Sequence, residues 1–207
     1  MFARRFLLAV ASALMVANSA LPSRASAQSP MQDGSRTFVE KLADRAVATL
    51  TIKDITEQER ARRFRALLTE AFDVPAIARF ALGRYWREAT EQQRAEYLRL
   101  FETMIVATYA SRFGEYSSET IRLLDARIDD PKLVTVMSEV FKPGQAPARV
   151  DWRVMTDSGS YRVVDVVVEG ISMSLTQRND FAAVIQRTGG AVEGLLVALR
   201  DKTKQFE

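Results

Sequence analysis

Among its 207 residues the chain has no cysteine and no histidine. Without cysteine no disulfide can staple the fold, so stability in an oxidising compartment must come from packing. The two absences together exclude thiol nucleophiles, Ser-His-Asp triads and the usual histidine or thiolate zinc sites. Also missing are a glycine loop ending in Lys-Ser or Lys-Thr, a G-x-S-x-G elbow and a dinucleotide fingerprint, so nothing here uses ATP directly. No segment beyond the amino terminus approaches the length of a membrane-spanning helix.

The first residues follow the secretory pattern. Arg4 and Arg5 precede an apolar run from Phe6 to Ala17, and small residues end in Ala25-Ser26-Ala27. Residues 1–27 are therefore expected to be a cleaved signal peptide and residues 28–207 a single domain, with export pointing to the periplasm. The formal net charge is +3, but Arg4, Arg5 and Arg24 lie in the signal and no acid does. The mature part is thus near neutral, which weakens any case for a nucleic-acid partner from overall charge, and none is expected.

Along the mature chain the hydrophobic period is first that of a helix. Phe38, Leu42, Val47 and Leu50 recur at helical spacing. Thr56 and Glu59 have capping-box spacing before a stripe of Phe64, Leu67, Leu68 and Phe72. Asp73 and Pro75 open a short helix that Gly83 can end. Thr90 and Gln93 repeat the capping-box spacing and start what reads as the longest helix, with Leu98, Phe101, Ile105, Tyr109 and Phe113 on one face.

Downstream the period falls to about 2. Candidate strands run around Ile121–Leu124, then over Leu133–Phe141, Val150–Met155, Tyr161–Val168 and Ile171–Thr176. Asp129-Asp130-Pro131, Lys142-Pro143-Gly144, Asp157-Ser158-Gly159 and Gly170 punctuate them. Short links favour an antiparallel meander, and helices are expected again over 179–187 and 192–204. The fold class is α+β, a helical layer packed on one curved antiparallel sheet of about five strands.

Polar residues offer little chemistry. Asp165 interrupts a run of valines, so it faces solvent or is buried with partners that satisfy it. A small hydrolase or isomerase using Asp165 or Glu169 as base is one alternative, and an interaction protein with a solid core is another. Arg79, Arg84 and Arg112 suit bidentate contact with a phosphate, although single arginines on helices commonly form solvated faces or ion pairs. Periodicity cannot separate a pocket wall from a packed interior, because both use the same side chains.

Two blocks carry a family resemblance. The first is Phe72-Asp73-Val74-Pro75 through Ala81-Leu82-Gly83-Arg84-Tyr85-Trp86 to Ala89-Thr90-Glu91-Gln92-Gln93-Arg94; the second is Tyr161-Arg162-Val163-Val164-Asp165 and Glu169-Gly170-Ile171-Ser172-Met173, with Arg178 and Phe181 beyond. Together they resemble the MlaC family, also called the toluene-tolerance auxiliary (Ttg2-type) family, over nearly the whole mature chain. The resemblance implies a fold related to the NTF2-like type, with acyl chains entering an apolar pocket between helices and sheet. It implies a non-enzymatic periplasmic carrier, acting as a monomer, that moves phospholipid between an outer-membrane lipoprotein complex and an inner-membrane ABC transporter. No metal and no cofactor are expected, only lipid as cargo. The pocket roles it suggests fall on Phe80, Phe101, Ile105, Tyr109, Val136, Trp152, Val154, Val164, Val166, Ile171 and Met173, so Val164→Asp or Ile171→Asp should lose lipid. Residues 112–119 resemble the hopanoid-associated branch of the family, which makes a hopanoid the alternative cargo.

Overall fold

The structure, a computed structural model, describes residues 29–115 and 119–204. The expected signal peptide lies outside the described residues, as do residues 116–118 of the hopanoid-like stretch. Seven helices and five strands follow in the order α1 (Pro30–Leu50), α2 (Glu57–Ala71), α3 (Val74–Leu82), α4 (Tyr85–Glu88), α5 (Glu91–Tyr109), a 3-10 turn (Ser111–Glu115), β1 (Thr120–Asp130), β2 (Leu133–Phe141), β3 (Ala148–Asp157), β4 (Ser160–Val168), β5 (Ile171–Ser172), α6 (Met173–Arg187) and α7 (Val192–Thr203). The strands form one antiparallel sheet in sequence order. The α+β class read from the pattern is the one observed.

Local signals explain most boundaries. Ser29 and Gln32 close a capping box on α1, and Thr90 and Gln93 close one on α5. Thr56 accepts the Glu59 amide at 3.1 Å, yet the Glu59 carboxylate turns outward to Arg62 and Arg63 and does not complete the expected box on α2. Asp73 caps α3, and Gly83 stops it with φ of 59°. The β3–β4 and β4–β5 turns each place two residues at positive φ, the geometry that matches strand twist in tight hairpins.

Two expectations about elements are corrected. The fifth strand stops at Ser172, because the Ser172 hydroxyl accepts the Leu175 amide at 3.1 Å and starts α6 six residues before position 179. Asp165 reinforces that start. It is 5% exposed, and it accepts the Ser172 hydroxyl at 2.6 Å and the Ser174 amide at 3.0 Å, so it pins α6 to β4. The longest helix is α1, with 21 residues against 19 for α5.

The inner sheet face, with Val134, Val136, Val154 and Ala126 buried, is covered by α1 through Val39, with Leu42 and Ala71 beside Val163. Helix α5 instead packs on α7, α3 and α2. Its Tyr97 and Phe101 meet Phe181 of α6 in a triangle of rings with centroids 5.8, 5.9 and 6.1 Å apart. Tyr97 donates its hydroxyl to the Ala78 carbonyl at 2.9 Å, and burial raises its pKa. Arg200 of α7 grips Glu96 of α5 through two bonds of 2.6 and 2.9 Å, which holds the Glu96 carboxyl below its ordinary pKa.

Candidate functional site

An apolar cavity of about 300 Å³ lies between the helices and the sheet. Its roof is the second half of α1, where Leu42, Ala43, Ala46, Val47 and Leu50 point down. Ala43 and Ala46 are the local cause of the hollow, since they place methyl groups where a tightly seated helix would carry leucine. Phe64, Leu67 and Leu68 of α2 and Phe72 at its end form one wall. Ile121, Val140 and Trp152 supply the floor from β1, β2 and β3.

Trp152 is oriented by a residue absent from the expected site. Its indole Nε1 donates to Ser138 Oγ at 3.1 Å, and that hydroxyl donates to the Val150 carbonyl at 2.6 Å. Ser138 is fully buried, so the donor that would otherwise face the cavity is satisfied from behind. The rim is polar. Arg112 lines it with its guanidinium 5.5 Å from the Tyr109 ring centroid, and Glu119 lines it while paired with Lys142 at 3.4 Å. Arg60 ties the rim together. It is 6% exposed, donates to the Leu50 and Ile52 carbonyls at the end of α1, and lies against Gly114 of the 3-10 turn.

A second hollow of about 380 Å³ is a groove on the outer side of the helices, lined by Thr69, Phe72, Val74, Pro75, Leu98, Arg99 and Glu102. Its lining is more polar than that of the inner cavity, which marks the inner cavity as the place for a hydrocarbon. Among the described residues no cluster of acidic side chains is arranged to hold a metal ion, and no single helix is long and apolar enough to cross a membrane.

The family model for MlaC protein matches residues 40–201, which include every residue lining the cavity. This chain belongs to the MlaC family. A solved phospholipid-binding protein from Ralstonia solanacearum, in complex with a phospholipid, superposes with a TM-score of 0.73 at 26% identity, covering 83% of this chain and 97% of that one. Toluene tolerance protein ttg2D of Pseudomonas putida is 27% identical over 53% of this chain and 51% of its own. The intermembrane phospholipid transport system binding protein MlaC of Haemophilus influenzae is 23% identical over 60% of this chain and 59% of its own. The chain thus spans between half and three fifths of the length of these two curated relatives.

Within this MlaC fold the eleven expected pocket residues do not assemble into one site. Trp152 lines the cavity, and Val166, its cross-strand partner, is half-buried beside it. Val136 and Val154 are fully buried under α1 in the solid part of the sheet core. Val164 is half-buried at a bulge in β4. Phe101 and Ile105 belong to the helical core and Tyr109 ends α5, because α5 stands one layer away from the sheet. Phe80, Ile171 and Met173 are exposed, and Arg178 lies over the Phe80 ring at 5.2 Å. The cavity described above lies under α1, and of the aromatic stripe expected to cover it only the last residue, Phe113, is in its lining. Of the three arginines proposed for phosphate, Arg112 reaches the rim, whereas Arg79 and Arg84 lie over Trp86 and Tyr85. Nothing in the periodicity marked the α1 residues as pocket, though Ala43 and Ala46 on a helical apolar face were a readable hint.

Proposed function

We propose that this MlaC-family chain is a periplasmic lipid carrier, which seats the acyl chains of a phospholipid under α1 and leaves the head group at the rim near Arg112. The observation that carries this reading is a cavity walled almost wholly by apolar side chains, with its polar groups confined to one edge. The phospholipid in the related Ralstonia structure supports it. An acyl pair of on the order of 30 methylenes costs roughly 25 kcal/mol to expose to water, at about 0.8 kcal/mol each. Free diffusion across an aqueous gap is therefore negligible, and a protein cavity of comparable apolarity brings the net transfer cost near zero. Transfer then runs either way, and direction comes from the membrane complexes at each end, an outer-membrane lipoprotein complex and an inner-membrane ABC transporter.

No bond chemistry is needed. Both oxygens of Asp165 are taken by the start of α6, and one oxygen of the Glu169 carboxylate accepts the Arg149 amide, so both residues have structural partners. Ile171 is 61% exposed, and an aspartate there would stand in water. The informative substitution is Ala46→Asp, which places a carboxylate on the apolar cavity roof. Organic extracts of natively purified protein, analysed by mass spectrometry, should contain phospholipid for the wild type and little or none for folded Ala46→Asp. Equal lipid in both would refute the site, and a polycyclic lipid in the wild-type extract would assign the hopanoid cargo.

A further inference from the structure

Arg79 and Arg84, which the cavity does not use, stand at the corner where Gly83 turns α3 into α4. Arg79 lies over the Trp86 ring at 5.8 Å and Arg84 over the Tyr85 ring at 4.8 Å. Two more arginines close on the corner from other helices. Arg94 of α5 covers Trp86 at 5.5 Å and donates to the Trp86 and Arg87 carbonyls. Arg178 of α6 covers Phe80 at 5.2 Å and lies against Gly83.

Charge is left over at this corner. Arg45, Arg62, Arg122 and Arg200 each pair with a carboxylate elsewhere, but among the described residues no ion pair holds Arg79, Arg84, Arg87, Arg94 or Arg178. The acids on the same stretch of chain are Glu88 and Glu91, both exposed, so positive charge predominates. A guanidinium laid on a ring spends its face and keeps edge N–H donors for an outside acceptor, a phosphate or a carboxylate. Two observations favour the phosphates of a bilayer. Phe80 is 43% exposed under Arg178, and Leu175, one turn before Arg178, is 48% exposed, the mixture of apolar and cationic side chains that seats in a headgroup layer. In addition, neither hollow is lined by any residue of the corner, whereas the anchors of a protein partner need a pocket to fill. We propose that the α3–α4 corner is the face on which this protein docks to an anionic phospholipid bilayer, with Phe80 and Leu175 entering the headgroup boundary and the arginines meeting lipid phosphates. The inference needs nothing from the cavity.

The test is co-sedimentation of natively purified protein, at low salt, with sucrose-loaded vesicles of palmitoyl-oleoyl phosphatidylcholine, alone or mixed equally with the phosphatidylglycerol. Wild type should bind the mixed vesicles and leave the pure ones. Each arginine near such a surface is worth about fivefold in binding, so Arg79→Gln/Arg84→Gln should bind the mixed vesicles about 25-fold more weakly. Phe80→Ser, which loses a ring and no charge, should bind at least about fivefold more weakly. Arg62→Gln/Arg127→Gln removes the same charge from other exposed sites and should bind as the wild type does. Circular dichroism checks that each variant is folded. Wild type that ignores the mixed vesicles overturns the docking face, as does undiminished binding by Arg79→Gln/Arg84→Gln or by Phe80→Ser. An equal loss in both double variants means that overall charge is read and not this corner, which overturns it too. Retention on poly-glutamate beads without vesicle binding overturns the bilayer and reassigns the corner to an acidic protein surface.

Discussion

Ser138 uses both hydrogen-bonding capacities of its hydroxyl inside an apolar sheet face, accepting from Trp152 and donating to Val150. A buried donor left without an acceptor costs about 1–3 kcal/mol, more than the roughly 1 kcal/mol net value of an ordinary hydrogen bond. Ser138→Ala removes the acceptor but keeps nearly the same shape, so the indole Nε1 must either stay unpaired or turn toward the cavity and bring water with it. The expected outcome is a loss of about 1–3 kcal/mol in urea denaturation, together with red-shifted Trp152 emission in a Trp86→Phe background. Emission that stays unchanged would mean that the serine does not hold the ring. The same scale shows why Asp165 needed no chemistry. A carboxylate in a valine strand is tolerable when its oxygens meet a hydroxyl and a helix-start amide, and that was one of the two readings its sequence context allowed.

Among the elements, α1 decides the site, because its seat on the sheet fixes how much space remains beneath its second half. The seat depends on Gly34. A Cβ built there would lie 1.9 Å from the Tyr161 hydroxyl oxygen, on the ring that stacks with Phe38 at 5.8 Å. Two effects oppose each other in Gly34→Ala. Helix propensity favours alanine by about 1 kcal/mol, while forced overlap in a packed region costs about 1–3 kcal/mol. Overlap should win, giving a net loss of up to roughly 2 kcal/mol in chemical denaturation; a gain in stability would mean that α1 does not sit this close to Tyr161. Much of this layer was legible beforehand. The alternation in Leu133–Phe141 marked β2 to the residue, and Thr90 with Gln93 marked the start of α5. In Ile171-Ser172-Met173-Ser174-Leu175-Thr176 the same alternation misled, because a serine cap and the buried Asp165 override a two-residue period. The stripe through Phe101 and Ile105 correctly announced a buried face but carried no information on what would bury it. Emptiness has no periodicity, so the cavity could be found only after the helix and the sheet were placed together.

For the whole molecule, the hollow is a deficit of packing in a protein that has no cysteine to compensate for it. A residual cavity costs about 24 cal/mol per Å³; for about 300 Å³ that is at most roughly 7 kcal/mol, an upper bound because the rim is open to water. Typical domains have only about 5–15 kcal/mol in total, so the empty carrier should be measurably weaker than the loaded one. Linkage gives the size of the return: a ligand at a hundred times its dissociation constant adds about 2.7 kcal/mol, and for a domain of this length each kcal/mol moves Tm by about 2–4 °C. Delipidated protein should therefore melt about 5–10 °C below the loaded form and recover on addition of phospholipid. The recovery must come from filling the space under α1 and not from detergent-like coating of the exposed Phe80 and Ile171. Ala46→Asp separates the two, since it spoils the cavity and leaves both exposed residues in place. If Ala46→Asp regained as many degrees on adding phospholipid as the wild type, the stabilising lipid would be bound outside the cavity.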